Sequence, residues 1–438
     1  MTRAHTLART TSRLLVTLGL LAVPGFSQVT PSGPEVKVSG SPESRQRYPA
    51  VAARKDGFLL VWEDDVKGVQ ARKLAATGRA QGAATVLVAT DPLPPERPFH
   101  GNIKEAGDPA VAVKVADGSF LLVWVERTVE RSLDIFVDQR SVLSQRLRAR
   151  RFTAAGKPLA GAAGNILELA PAAGWPGRPA VAVNPDGSFW IVWDESGNKR
   201  GGIHLRRLDA QGKLGPDVRI ATVAKRNPVA ASLNNAAIAL GGDGFIVTWE
   251  QCCQAGGDPQ VYARLLKPTG APNGPAFKVP TLPGRANSLP AVAGRAGKEF
   301  LVVWQSRPQD GSAPPSIHGQ LIAKTGALVQ AEEVFAAIDD VSYLEPAVAA
   351  TTDRNGWLVL WSVYESGKRS FVDGRSYDAQ LNPTSNVVHF STGQLYTLGN
   401  ELAVAVMPNG RLVVSYVGST EDRQVGIRAR AGRSPVRK

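Results

Sequence analysis

Carboxylates are the residues of this sequence whose placement points most directly to chemistry. Glu63, Asp194 and Glu250 directly follow large aromatic residues, and Glu126 and Glu195 stand one position further on. Two carboxylates facing one another across a bond, roughly 5 to 9.5 Å apart, are what glycoside hydrolysis requires. Taken singly, the same residues read as solvated caps at strand ends. A second set comprises Tyr48, Asp108, Arg178, Leu289, Glu345 and Glu401, each standing just before a recurring small-residue run such as "PAVA". A ring of this kind at a channel mouth would hydrate the entrance or coordinate a ligand. Phe99, Trp175, Tyr343 and Tyr396 add aromatic surface. With Arg, Asp and Asn nearby, such rings suit sugar stacking and equally a protein contact.

Other chemistries lack their signatures. No H-E-x-x-H, G-x-S-x-G, phosphate-binding loop or calcium-loop series occurs. His5, His100, His204, His318 and His389 are scattered, so no metal-ligand set is legible, and no cofactor motif is either. The two cysteines, Cys252 and Cys253, are adjacent. In an oxidising compartment they leave three states open: a strained vicinal disulfide, free thiols or an intermolecular bridge. Fold stability must therefore come from a packed core.

The elements that position these residues repeat. "YPAVAARKDGFLLVWE" begins at Tyr48, "RPAVAVNPDGSFWIVWDE" at Arg178 and "EPAVAATTDRNGWLVLWS" at Glu345, within a set of seven such units. Their closing aromatics are Trp62, Trp124, Trp193, Trp249, Trp304, Trp361 and Tyr416, spaced by 59 residues on average. Each unit reads as four strands. The first is small and apolar. An Asp-Gly or Asn-Gly turn follows it in six of the seven units. The second strand is apolar on both faces and must be buried on both sides. The third alternates with polar residues. A glycine turn (Gly78, Gly156, Gly212, Gly270, Gly326) then leads to the fourth. Small residues first, large next and polar last describe a radial gradient. That is an all-β, seven-bladed β-propeller with four antiparallel strands per blade.

The seventh unit stops after its third strand, "QVGIRARAG". "PEVKVSGS", at residues 34–41, has the phase of a fourth strand. It is expected to pair with the last blade and close the ring without a covalent bond. Two long segments, 90–108 and 125–142, read as loops flanking the second blade. They lie on the face of variable loops, where rigid scaffolds tend to carry function.

Residues 1–27 read as a secretory signal peptide, with Arg3, Arg9 and Arg13 ahead of the apolar run "LLVTLGLLAV". The propeller then occupies 28–438. No later run is long and apolar enough to span a bilayer as a helix. Removing the signal lowers the formal charge from +13 to +10. "QRLRARRF" (145–152) concentrates four arginines. This suits attraction to a polyanion, or arginines solvated on an outer strand. No aromatics interleave with them, so nucleic acid is not the expected partner.

The "PAVA…DG.FLVVW" unit resembles a repeat common in secreted and cell-surface bacterial β-propeller proteins, over essentially the whole mature chain. "DGSF" followed by "VW" is also distantly similar to the Asp-box of sialidases, although the leading Ser/Thr and the Gly-x-Thr spacing are missing. The resemblance is specific for fold, and such propellers serve as adhesins, lectins, scaffolds and occasionally enzymes. The signal segment predicts an exported monomer in the periplasm, at the cell surface or outside it, and the variable-loop face is expected to bind or scaffold a glycan or surface protein rather than to catalyse. A polysaccharide hydrolase or lyase with its site at the channel mouth remains open, as does a structural subunit of an envelope complex.

Overall fold

The computed structural model describes residues 29–39, 44–92, 98–133, 138–172, 174–197, 200–222, 232–241, 243–252, 257–338, 340–351, 356–365, 370–392, 394–395, 402–419 and 425–434. The signal segment expected at 1–27, Tyr396, Glu401 and Cys253 lie outside these residues. Seven antiparallel sheets succeed one another along the chain as the blades of a propeller. Blades 1 to 6 occupy 46–88, 99–170, 176–222, 232–278, 285–336 and 341–389. Blade 7 spans 394–433 and is completed by Thr30–Pro31 and Val36–Lys37, both paired with its Val425–Arg433 strand. The expected four-stranded blades and the closing N-terminal strand are both present.

The core lies between blades. Seven apolar clusters fill the seven interfaces, including the one between blades 7 and 1. Each closing aromatic points into the blade before its own: Trp62 packs with Val413 and Ile427 of blade 7, and Trp304 with Ile246 and Val261 of blade 4. The alternate residues of the same strand, such as Leu59 and Val61, point into the blade that follows. This is why the second strands are apolar on both faces. All seven aromatics are 0–2% exposed. The strand-three to strand-four turns use the expected glycines at φ of 81–95°, a region open to residues without a Cβ.

Segments 90–108 and 125–142 correct the expectation of loops. Phe99–Val113, Phe120–Leu133 and Asp138–Phe152 are long strands of blade 2. A continuous ladder joins the first two, pairing Phe99 with Leu133 and running down to Gly107 opposite Val125. Nine residues precede the break in this ladder, against four in the equivalent strands of blades 5 and 6. The extra length raises a wall roughly 17 Å beyond its neighbours. Glu105 braces it through Arg131 and Arg140.

Ring closure rests on one carboxylate. Glu35 accepts hydrogen bonds from the Tyr416 hydroxyl (2.6 Å), the Thr392 amide (2.7 Å) and hydroxyl (2.9 Å), and Arg428 Nη1 (2.8 Å). Val29 and Val38 flank it, each 1% exposed. Val29 packs in the interface of blades 6 and 7, and Val38 in that of blades 7 and 1. The segment thus seals both sides of the last blade. Deleting residues 28–41 is expected to destabilise the protein by about 4 kcal/mol, from two buried valines and the Glu35 contacts. An unchanged thermal midpoint in that deletion would refute the closure role.

Burial acts to raise the Glu35 carboxyl, but the hydrogen bonds from Tyr416, Thr392 and Arg428 outweigh it and hold the group below its ordinary range. A carboxyl depressed on folding adds stability above its unfolded value, near ~4.3, and loses it as pH falls through the folded value. Glu35→Gln is therefore expected to lower the thermal midpoint at pH 7 and to approach wild type as pH drops below about 4. Midpoints measured across that range check the convergence.

Candidate functional site

The site begins with a repeated irregularity. In blades 1, 2, 4, 5 and 6, two residues of the first strand stand opposite the single buried tryptophan of the second. The first of each pair has a left-handed backbone: Tyr48 (φ 56°), Asp108 (47°), Asn235 (54°), Leu289 (53°) and Glu345 (51°). Such bulges re-aim side chains, and a left-handed non-glycine residue costs of order 1–3 kcal/mol. In blade 3 the bulge is displaced by one position, and Gly177 and Arg178 oppose Asp194 instead of the tryptophan.

The displaced arginine joins its neighbours. Arg178 stacks over the Tyr48 ring, 3.7 Å from its centroid, and its Nε donates to Asp108 Oδ1 at 3.1 Å. Arg127 Nη2 pairs with the other Asp108 oxygen. Tyr48, Asp108 and Arg178 line a cavity of about 120 Å³ with Pro49, Pro109 and Pro179. Three of the expected ring residues therefore converge from three consecutive blades, at the foot of the blade 2 wall.

Acids support this layer from below. Glu63 Oε2 accepts the Asp108 amide at 2.8 Å, and Oε1 lies 3.1 Å from Arg47. Glu250 accepts the Leu289 amide in the same way at 3.1 Å. Glu63, Asp194 and Glu195 are 4%, 9% and 1% exposed. This corrects the reading of these three acids as solvated caps: Glu63, like Glu250, tethers one blade to the bulge of the next. Gly107 and Gly177 leave room here for the Glu63 and Asp194 carboxylates, which a Cβ on either would displace. Glu126 instead pairs with Arg148 across its own blade.

Burial raises the Glu63 carboxyl, with Arg127 opposing and Asp108 reinforcing the shift. Burial likewise pushes Asp194 up to about 7, against a hydrogen bond to the Ala236 amide, with Asp108 raising it further and Arg178 lowering it. The mouth therefore presents a phenol ring, a guanidinium and a carboxylate, and Asp194 is buried behind it, opposite Arg178 in the blade 3 ladder. Arrangements of this type bind polar or anionic ligands and can exchange protons.

The remaining expected residues are distributed differently. Trp175, 41% exposed, stands on the chain entering blade 3, three residues before Arg178. Phe99 lies at the far end of the blade 2 wall, opposite Leu133. Tyr343 is 6% exposed and packs with the core between blades 5 and 6, so it is a packing residue rather than a surface platform. Glu345 occupies the blade 6 bulge and is 6% exposed. Cys252 is disulfide-bonded. Arg146 and Arg148 pair with Glu168, which ties their charge into blade 2 itself. Among the described residues, no group of three or more His, Cys, Asp or Glu side chains could hold a metal ion. None of the helices among them is long and apolar enough to cross a membrane.

The opposite end of the channel opens into a larger cavity of about 730 Å³. It is lined by residues of the short turns, including Val115, Leu240, Phe245, Met407 and Arg295. Arg295 is already closed against Glu299 and the Trp357 ring. Lys114, Asn184 and Thr351 complete its polar lining.

Compared with known families and with curated proteins, the sequence matches none. Its fold does have relatives among solved structures. A protein of unknown function from Dyadobacter fermentans DSM 18053 is similar at 14% identity and a TM-score of 0.50, covering 94% of this chain and 100% of its own. An ulvan lyase from a polysaccharide lyase family is similar at 11% identity and a TM-score of 0.53, covering 93% and 94%. The same kind of lyase solved with the saccharide -[GlcA(1-4)Rha3S]- aligns at 10% identity and a TM-score of 0.53, covering 92% and 94%. At these identities the likeness is one of fold: the chain shares its whole architecture with these proteins.

Proposed function

We propose that this protein is an exported propeller that binds an anionic polysaccharide at the channel mouth of blades 1 to 3. The observation that carries this reading is the convergence of Tyr48, Asp108 and Arg178 around one cavity, with Arg178 stacked on the Tyr48 ring. A guanidinium held on a phenol ring supplies a charge-assisted hydrogen bond to a carboxylate or sulfate, and the exposed Trp175 ring supplies stacking. Trp175 and the blade 2 wall extend the surface on one side. The saccharide-bound lyase lends support, because its ligand carries a uronic acid and a sulfated sugar on a similar scaffold. Turnover at the same mouth is the second reading. It draws on Asp194, whose carboxyl is pushed up to about 7 by burial and stands opposite Arg178.

Binding of residues 28–438 to neutral, uronate-containing and sulfated polysaccharides, at low and at moderate salt, tests the reading. The anionic polymers are expected to bind, with an affinity that persists at moderate salt. Arg178→Ala should weaken it about 10- to 100-fold, the cost of one charge-assisted hydrogen bond. Trp175→Ala should weaken it less. Binding that disappears with salt and ignores Arg178 would reduce the interaction to net charge and overturn the site. Product formation lost in Asp194→Asn would select the second reading.

A further inference from the structure

On the third strand of every blade, one residue stands opposite the buried aromatic: Gln70, Arg148, His204, Tyr262, His318, Asp373 and Arg428. Most lie in polar clasps at the blade's outer edge. The two histidines occupy the same place with opposite chemistry. In blade 3, His204 Nδ1 meets Asp217 at 2.8 Å and Nε2 meets the Arg200 carbonyl at 2.8 Å. Both neighbours are acceptors, so neither nitrogen is left to receive a proton. In blade 5, His318 Nδ1 meets Glu332 Oε1 at 2.7 Å, and Nε2 meets the Ser316 hydroxyl at 2.9 Å. Glu332 accepts, while the Ser316 hydroxyl has two acceptors within reach, His318 Nε2 and the Ser306 carbonyl at 3.2 Å.

We propose that Ser316, His318 and Glu332 form an acyl-transfer site on the outer edge of blade 5, with Ser316 as nucleophile, His318 as general base and Glu332 as the group that orients it. The preferred substrate class is a carboxylic ester with a small apolar acyl group. Nucleophile to base and base to orienter both lie within hydrogen-bond reach, as such a set requires. Glu332 is fixed by the Thr281 amide (2.7 Å), the Leu282 amide (3.1 Å) and the Thr281 hydroxyl (3.2 Å), and its side chain is 1% exposed. Arg285 Nη2 donates to Ser316 Oγ at 2.9 Å and fixes the position of the hydroxyl.

A second observation is independent of this network. Ser316, His318 and Arg285 line a cavity of about 280 Å³ that also includes Pro314 and Pro315. Its rim carries Leu282, Val334 and Ile338, which are 40%, 45% and 63% exposed. Large apolar residues gathered at the surface mark a contact site, and here they enclose the hydroxyl. The position two residues before the clasp is Gly68, Arg146, Gly202, Gln260, Phe371 and Gly426 in the other blades, so only blade 5 offers a hydroxyl there.

The chemistry balances with water alone. Ser316 Oγ bonds to the ester carbonyl carbon while its proton passes to His318 Nε2. The carbon–oxygen bond to the leaving alcohol breaks, and that alcohol takes the proton. Water, deprotonated by His318, then attacks the acyl-serine and releases the acid and free Ser316.

The test treats the full protein with a fluorophosphonate probe, maps the modified serine by mass spectrometry, and follows hydrolysis of p-nitrophenyl acetate. Wild type should be labelled at Ser316. Ser316→Ala and His318→Gln should each lose at least ~100-fold in rate, within the range for losing a nucleophile or its base. Ser316→Ala should stay folded with a modestly lower thermal midpoint, and His204→Gln should keep its rate. Labelling of the wild type needs no substitution, so it decides the matter even where a variant misfolds. No label on Ser316, or hydrolysis unchanged in Ser316→Ala, would overturn the proposal. Neither readout involves polysaccharide binding.

Discussion

One large aromatic per blade, buried against the blade before it, is the contact on which the rest of the molecule depends. Removing a buried tryptophan from a core typically costs about 3–5 kcal/mol, so seven such contacts dominate the ring. Around the ring they also dictate the backbone. In five blades the first strand bulges where it passes the tryptophan, and the strain of a left-handed residue is held there by packing on both sides. The bulge is what presents a side chain at the channel mouth. Scaffold and site are therefore two consequences of the same packing.

Much of this was legible because it repeats. The period, the Asp-Gly turns, the doubly apolar second strands and the unpaired N-terminal strand all follow from patterns that recur seven times or are conspicuously missing once. The ring residues Tyr48, Asp108 and Arg178 could be named from their place before each small-residue run. Their convergence could not, because it depends on a one-residue displacement of the blade 3 bulge and on the reach of an arginine. Glu63 and Asp194 were misread as solvated for a related reason: the amide each one meets belongs to the next blade. Tyr343 reads from the sequence as aromatic surface, but its ladder with Val363 turns it into the core between blades 5 and 6.

The outer edge shows how the repeat accommodates variation. The residue opposite each aromatic needs only to fill one place and meet a partner. Glutamine, arginine, histidine, tyrosine and aspartate all do so. A position tolerant of so many chemistries can acquire a reactive one without disturbing the core. Ser316 and His318 are alternate residues of one strand, but nothing in the sequence marks Ser316 out from other strand serines. Glu332 belongs to the following connection and joins them only in space.

The joint at Glu35 orders events in time. Glu35 and Arg428 are 393 residues apart, and their contact completes the circle. A chain made from its N-terminus presents Glu35 before any blade and Arg428 after the first six. Every earlier stage is an open arc with an unsatisfied blade at each end, and such edges are templates for pairing with other chains. The same contact makes the fold a check on its own completeness: an arc lacking its final strands leaves the Glu35 carboxylate without Tyr416 and Arg428, and the first and last blades without each other.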